Sequence, residues 1–314
     1  MTTRLSSEHF TFHELAAGVW AAIVIPTGLA ASNSGIVDLG DRTLIFDTTL
    51  SPASALALRT AAEGLIGRRV ACVLNSHWHR DHVFGNAVFA PETEIYATAR
   101  TREIMSEKTA ADMAEFSQRW PEQLKEWAES ARLATDEAQR LDFLDGVRFA
   151  QAIINTLPQL KLRLPDHTFT ERLEFKGAQR AAAFVTYGGG HTDSDAFLYL
   201  PAERIIFTGD LLVVKNHPGM DGGHPGEWLK ILAQIKARDP LFLIPGHGEL
   251  GTLDDVTLME RYINETRQMA EQNLREGGTA QSAAALPPPA FTAGWANTES
   301  FARNMTFLHE EVQR

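Results

Sequence analysis

The chain has 314 residues, with 29 Lys and Arg against 40 Asp and Glu for a formal charge of −11, and 44% of its residues are hydrophobic. A chain this apolar buries a core, so disorder is excluded for most of it, and the acidic balance argues against nucleic acid, which demands a basic stripe. The single cysteine, Cys72, has no intramolecular disulfide partner, which points to a reducing, cytoplasmic compartment.

Residues 16–31 could imitate a signal or membrane segment, but Gly18, Pro26 and Gly28 interrupt them, and His9, His13 and Glu14 precede them instead of basic residues. Short core strands explain this stretch better, and no membrane partner is expected. Strands are predicted at 10–15, 19–25, 35–39 and 42–47, with Gly40-Asp41 as a turn, then a helix at 52–65 and a strand ending at Asn75. A further strand is predicted at 94–97. Strands followed by helix and strand indicate an α/β layered fold. Residues 101–165 change to helical periodicity, with Met113, Phe116 and Trp120 on one face and Leu124, Trp127 and Ala131 on the next. Strand patterns return at 168–175, 182–187, 196–200 and 205–208. A helix at 227–236, a strand at 241–244 and a long helix from about Asp254 follow. Pro287-Pro288-Pro289 forms a stiff linker before a last helix at 298–312. The expected organisation is one domain over 1–314, with a helical insert at 101–165 and a helical extension at 290–314.

Directly after the strand ending at Asn75, the run His77-Trp78-His79-Arg80-Asp81-His82 sets three imidazoles and a carboxylate within six positions. In an extended segment His77 and His79 share a face and reach one cation, whereas Asp81 and His82 in the next turn can face a second. Three later segments each run from a strand into a glycine turn and a ligand type: Gly188-Gly189-Gly190-His191, Thr208-Gly209-Asp210 and Pro245-Gly246-His247-Gly248. Glycine permits the sharp turn and leaves room at the centre.

Together these segments resemble the metallo-β-lactamase superfamily over nearly the whole chain apart from the insert and the last helix. The resemblance implies a four-layer αββα sandwich. It implies one metal held by His77, His79 and His191, another held by Asp81, His82 and His247, and Asp210 bridging the two. Asp47, at the end of an early strand, would act from behind the ligands. Asp210 stands where the best-known zinc β-lactamases carry Cys or Ser, and the stretch from His191 to Asp210 looks most like glyoxalase II-like, sulfur-oxidation-associated hydrolases. Phe84 replaces the first of two glycines that many relatives carry after the metal loop.

The implied activity is dinuclear hydrolysis, with Asp81 and Asp210 as catalytic carboxylates around a metal-bridging hydroxide. The substrate is an ester, lactone, thioester, amide (β-lactams included) or phosphoester. The implied cofactors are two divalent ions, zinc before manganese or iron. A mononuclear iron enzyme resembling persulfide dioxygenases, and an RNA-processing nuclease, are the alternatives. Trp78, Tyr187, Lys215, His217 and His224 lie beside the motif loops and are candidate substrate contacts. Trp78 equally suits an aromatic plug, and for Lys215 and His217 solvated loop positions are the favoured reading over binding an anionic group or protonating a leaving group. Trp228 has the spacing of a core residue. The expected partner is a small-molecule substrate, and a homodimer is left open.

Overall fold

The computed structural model describes residues 4–89 and 91–313. Eight strands form the first sheet in chain order: β1 Arg4–Ser6, β2 Phe10–Ala16, β3 Val19–Val24, β4 Ser34–Asp38, β5 Thr43–Phe46, β6 Val70–Leu74, β7 Glu94–Thr98 and β8 His167–Phe169. β1 to β5 pair antiparallel, and β5 to β8 pair parallel. The second sheet holds β9 Arg172–Lys176, β10 Ala181–Thr186, β11 Ala196–Leu200, β12 Ile205–Val213 and β13 Phe242–His247, with only the β12/β13 pair parallel.

Alternation along the strands builds the layers. In β11, Ala196, Leu198 and Leu200 face an inter-sheet core shared with Phe46, Phe184 and Phe207, while Phe197 and Tyr199 face the other way. Helix α1, Pro52–Ile66, starts at a Ser51 capping box and lays Ala55, Leu58 and Ala62 on the outer face of the first sheet. The short helix α2, Arg80–Val83, follows β6. The insert is a hairpin of α3, Ala99–Leu133, and α4, Glu137–Thr156. Helices α5 Pro225–Lys236, α6 Leu253–Arg275, α7 Ala280–Ala284 and α8 Thr298–Val312 complete the chain. α5, α6 and α8 cover the outer face of the second sheet through Trp228, Ile231, Tyr262, Phe301 and Met305. The order is therefore helix, sheet, sheet, helix, the expected αββα sandwich.

One predicted strand is corrected. Residues 168–175 are two strands in different sheets, β8 and β9, with a bend at Thr170-Glu171 where the chain crosses between layers. Phe169 and Phe175 both point into the inter-sheet core, so they read as one continuous buried run. Among the described residues, no helix is long and apolar enough to cross a membrane.

The insert packs through Met105, Phe116 and Ile153 onto Leu29, Leu50, Val83 and Phe84, and so braces the flank of α2. Phe84 is fully buried with its ring 5.4 Å from that of Phe116.

Candidate metal centre

Four strands deliver the predicted ligands to one edge of the sandwich. β6 runs into Asn75-Ser76-His77, β10 leads to the loop of His191, β12 contains Asp210, and β13 ends at His247. The two sheets are tied there by the Ala196 N–H, which donates to the Ser76 carbonyl at 2.8 Å. His77, His79, His191 and Asp210 bring one ligand atom each to within 4.8 Å of one another, and Asp81, His82 and His247 form a second such group.

Asp210 lies between the groups. Its Oδ2 is 3.4 Å from His191 Nε2, 3.3 Å from His247 Nε2 and 4.0 Å from His77 Nε2, and its Oδ1 is 3.2 Å from His82 Nε2. Asp81 Oδ2 is 3.2 Å from His247 Nε2 and 3.6 Å from His82 Nε2. Gly246 makes this possible, because a Cβ there would stand 1.8 Å from Asp210 Oδ1.

The donor set fits divalent cations. His77 Nε2, His82 Nε2 and Asp210 Oδ1 are buried and have no hydrogen-bond partner. Buried polar atoms are otherwise almost always satisfied, so three orphans within the two adjoining ligand groups mark a place for positive charge.

Each of four imidazoles is held through Nδ1 so that Nε2 faces the cluster. His82 Nδ1 donates to Asp47 Oδ2 at 2.8 Å. The Ser76 hydroxyl donates to the same Asp47 oxygen at 2.7 Å and so accepts from His77 Nδ1 at 2.9 Å. His191 Nδ1 donates to the Gly219 carbonyl at 2.9 Å, and His247 Nδ1 to the Ala31 carbonyl at 3.0 Å. Carbonyls and carboxylates only accept, so Nδ1 carries a proton in each, and in the neutral imidazole a cation requires, Nε2 is the lone pair that faces the cluster. His79 turns its Nδ1 inward, 3.0 Å from His191 Nε2. Asp47 lies behind the candidate ligands, bonded to His82 and Ser76, at φ 61, a backbone conformation rare for a side-chain-bearing residue.

Electrostatics divide the two groups. Burial holds His77 well below the usual imidazole range and lowers His79 to about 3, which leaves both neutral. Burial also disfavours charge on His82 and His247, but the facing Asp210 and Asp81 outweigh it, lifting His82 well above its ordinary value and His247 to about 10. Asp210 is held well below the carboxylate range, because His247 and His82 overcome the burial that opposes its charge. Asp47 is pushed up by burial against the three donors that favour its anion.

The candidate substrate residues separate. Trp78 sits on the rim, its ring centroid 4.5 Å from that of His79, with Lys108 Nζ of α3 5.0 Å from the Trp78 centroid. His224 is half exposed and pairs with Asp193 at 3.2 Å, and Asp193 also binds Arg100. Tyr187 reaches instead to Gln234 and Arg238 at the C-terminal end of α5, whereas the His191 loop meets the N-terminal end of that helix. His217 is buried among Tyr262, Trp295 and Phe301 and presents no solvent-facing group. Lys215 is exposed at φ 51 on a groove of about 390 Å³ beside Asp255, Phe291 and Trp295. Trp228 is core, as predicted, and its indole N–H donates to the Leu211 carbonyl.

Several supporting residues escaped the sequence reading. Asp195 accepts from the Gly190 and Thr192 N–H groups and the Thr192 hydroxyl, which folds the His191 turn. Ser32 donates to the Asp81 carbonyl. Asn33 binds the turn around His247 through its Nδ2, which donates to the Pro245 and Gly248 carbonyls at 2.9 and 2.8 Å. The polar triplet Ser32-Asn33-Ser34 between two apolar strands was the available signal.

The sequence profile of the metallo-beta-lactamase superfamily matches residues 27–247. A metallo-beta-lactamase type 2 of Bacteroides fragilis is 21% identical over 271 residues, covering 84% of this chain and 85% of its own. Among solved structures, a metallo-beta-lactamase from Erythrobacter litoralis superposes with a TM-score of 0.59 at 14% identity, over 84% of this chain and all of the other. One from Hirschia baltica gives 0.56 at 18% identity, over 80% of this chain and 96% of its own. With the matched stretch spanning both groups of ligands and most of both sheets, the chain belongs to the metallo-beta-lactamase superfamily.

Proposed function

We propose that the chain is a dinuclear metal-dependent hydrolase of a small ester, lactone, thioester, amide (β-lactams included) or phosphoester. His77, His79 and His191 would hold one divalent ion, Asp81, His82 and His247 the other, with Asp210 shared. The observation that carries this reading is the carboxylate of Asp210 within 4.0 Å of histidine nitrogens from both groups. Two such ions would lower the pKa of a bridging water towards about 7 and polarise the carbonyl or phosphoryl oxygen. Nitrogen and carboxylate donors without a thiolate suit zinc, and also manganese or iron.

The chain's own contribution is aim and charge. Asp47, Ser76, and the Ala31 and Gly219 carbonyls fix the imidazole tautomers before substrate arrives. Asp81 and Asp210 balance the dications. Trp78 and Lys108 at the rim offer an aromatic face and a cation to a substrate. The buried thiol of Cys72 and the acidic charge suit a reducing, cytoplasmic setting without nucleic acid.

The test is metal analysis of the purified protein followed by a panel of lactone, thioester, phosphodiester, phosphotriester and β-lactam substrates. About two ions per chain with hydrolysis supports the reading. One iron per chain with oxygen consumption replaces it with a dioxygenase, and transfer RNA cleavage with a steep salt slope replaces it with a nuclease.

A further inference from the structure

The Gly219 carbonyl that orients His191 belongs to the loop between β12 and α5, and that loop is gripped from the far end of the chain. Asn304 on α8 is fully buried. Its Oδ1 accepts from the Met220 N–H at 2.9 Å, and its Nδ2 donates to the Pro218 carbonyl at 2.7 Å. The amide thus straddles Gly219 and leaves the Gly219 carbonyl for His191 Nδ1 at 2.9 Å. Asn304 Nδ2 is in turn 3.1 Å from the Tyr262 hydroxyl of α6, and that hydroxyl is 3.2 Å from His217 Nδ1. α8 lies outside the residues that the family profile matches, 27–247.

We propose that Asn304 is a positioning residue for the half-site of His77, His79 and His191, acting on His191 through the Pro218-Gly219-Met220 turn. The C-terminal helix is on this view part of the metal centre's support as well as a cover for the second sheet. Only an amide side chain serves both neighbours, since one carbonyl needs a donor and one N–H needs an acceptor. The other half-site has its own clasp from the opposite end of the chain. Asn33 donates to the Pro245 and Gly248 carbonyls, its own N–H donates to the Gly246 carbonyl at 2.8 Å, and its Oδ1 accepts from the Val24 N–H. Removing an outer partner of a ligand typically weakens metal affinity about 10- to 100-fold.

The proposal rests on the two-ion reading, and its test separates the two. Zinc is titrated into the metal-free full chain in competition with a chromophoric chelator. The wild type must take two ions; a single ion overturns the half-site assignment and the proposal with it. With two confirmed, Asn304→Ala is compared in a His247→Ala background, which retains the first half-site, and in a His77→Ala background, which retains the second. The expected result is about 10- to 100-fold weaker binding in the first background and unchanged binding in the second. Asn33→Ala should give the reverse pattern. Asn304→Asp keeps the acceptor and the size but cannot donate to Pro218, so it serves if the alanine variant does not fold, with the same selective loss expected. Equal weakening of both half-sites, or of neither, shows that Asn304 only stabilises the fold.

Discussion

Asp210 is the carboxylate that stands within 4.0 Å of histidine nitrogens from both groups, held anionic by His247 and His82 and admitted by the missing side chain of Gly246. Asp210→Asn preserves the size but removes the charge, so kcat should fall about a hundredfold or more with the ions bound more weakly. Near wild-type kcat and metal content would remove Asp210 from its place between the two groups. His77→Ala and His247→Ala should each abolish turnover while emptying different half-sites, and metal analysis of the two variants decides it. Equal loss from both would mean one indivisible site. The candidate ligands were legible in the sequence because four of the seven fall within His77 to His82, and the others each stand directly after a glycine, Gly190, Gly209 or Gly246. The groups that aim them were not. Gly219 and Ala31 act through carbonyls that no side-chain pattern reveals, and Asn304 lies 86 positions from the Pro218 it holds.

Among the elements, the insert was recognised from its periodicity, yet its attachment depends on a residue outside it. Phe84 fills the space between α2 and the hairpin, so the departure from glycine noted in the sequence is the anchor of the insert. Thr98 and Thr101 add polar ties from the start of α3 to Ser194 in the His191 turn. The division of residues 168–175 between two sheets was hidden for a different reason, since alternation records which side of a strand is buried and not which sheet it joins. Phe116 is almost fully buried against Phe84 and Trp120. Phe116→Ala should therefore cost about 3–5 kcal/mol through the cavity it leaves. Denaturant unfolding would measure that loss. Because no ligand sits on α3, metal content should hold while KM shifts through the rim formed by Trp78 and Lys108. Loss of metal in this variant would mean that the hairpin supports the ions directly.

For the whole molecule, the two sheets meet at an apolar core that ends in a polar, charged edge, so cation binding there should couple to global stability. Cys72 reports on that coupling. It lies on β6, in the inter-sheet core, on the strand that leads to His77. Burial, reinforced by the charge of Glu94, pushes its thiol up to about 11 from an ordinary value of 9.0. A thiol raised in the folded state contributes stability fully below the unfolded value and loses it as pH rises from about 9 through 11. At pH 8 the native thiol is both protonated and enclosed, so an alkylating reagent should modify it only through unfolding. Each ion that binds only the folded chain stabilises it by about 2.7 kcal/mol when free metal is 100-fold above Kd. Stripping the metal with a chelator should then raise the rate of Cys72 alkylation about a hundredfold for each ion removed at pH 8, read by mass spectrometry of the Cys72 peptide. A rate that is fast in the metal-loaded protein would show that the β6 core opens without global unfolding. An unchanged rate on chelation would show that the ions do not bear on the stability of the sandwich.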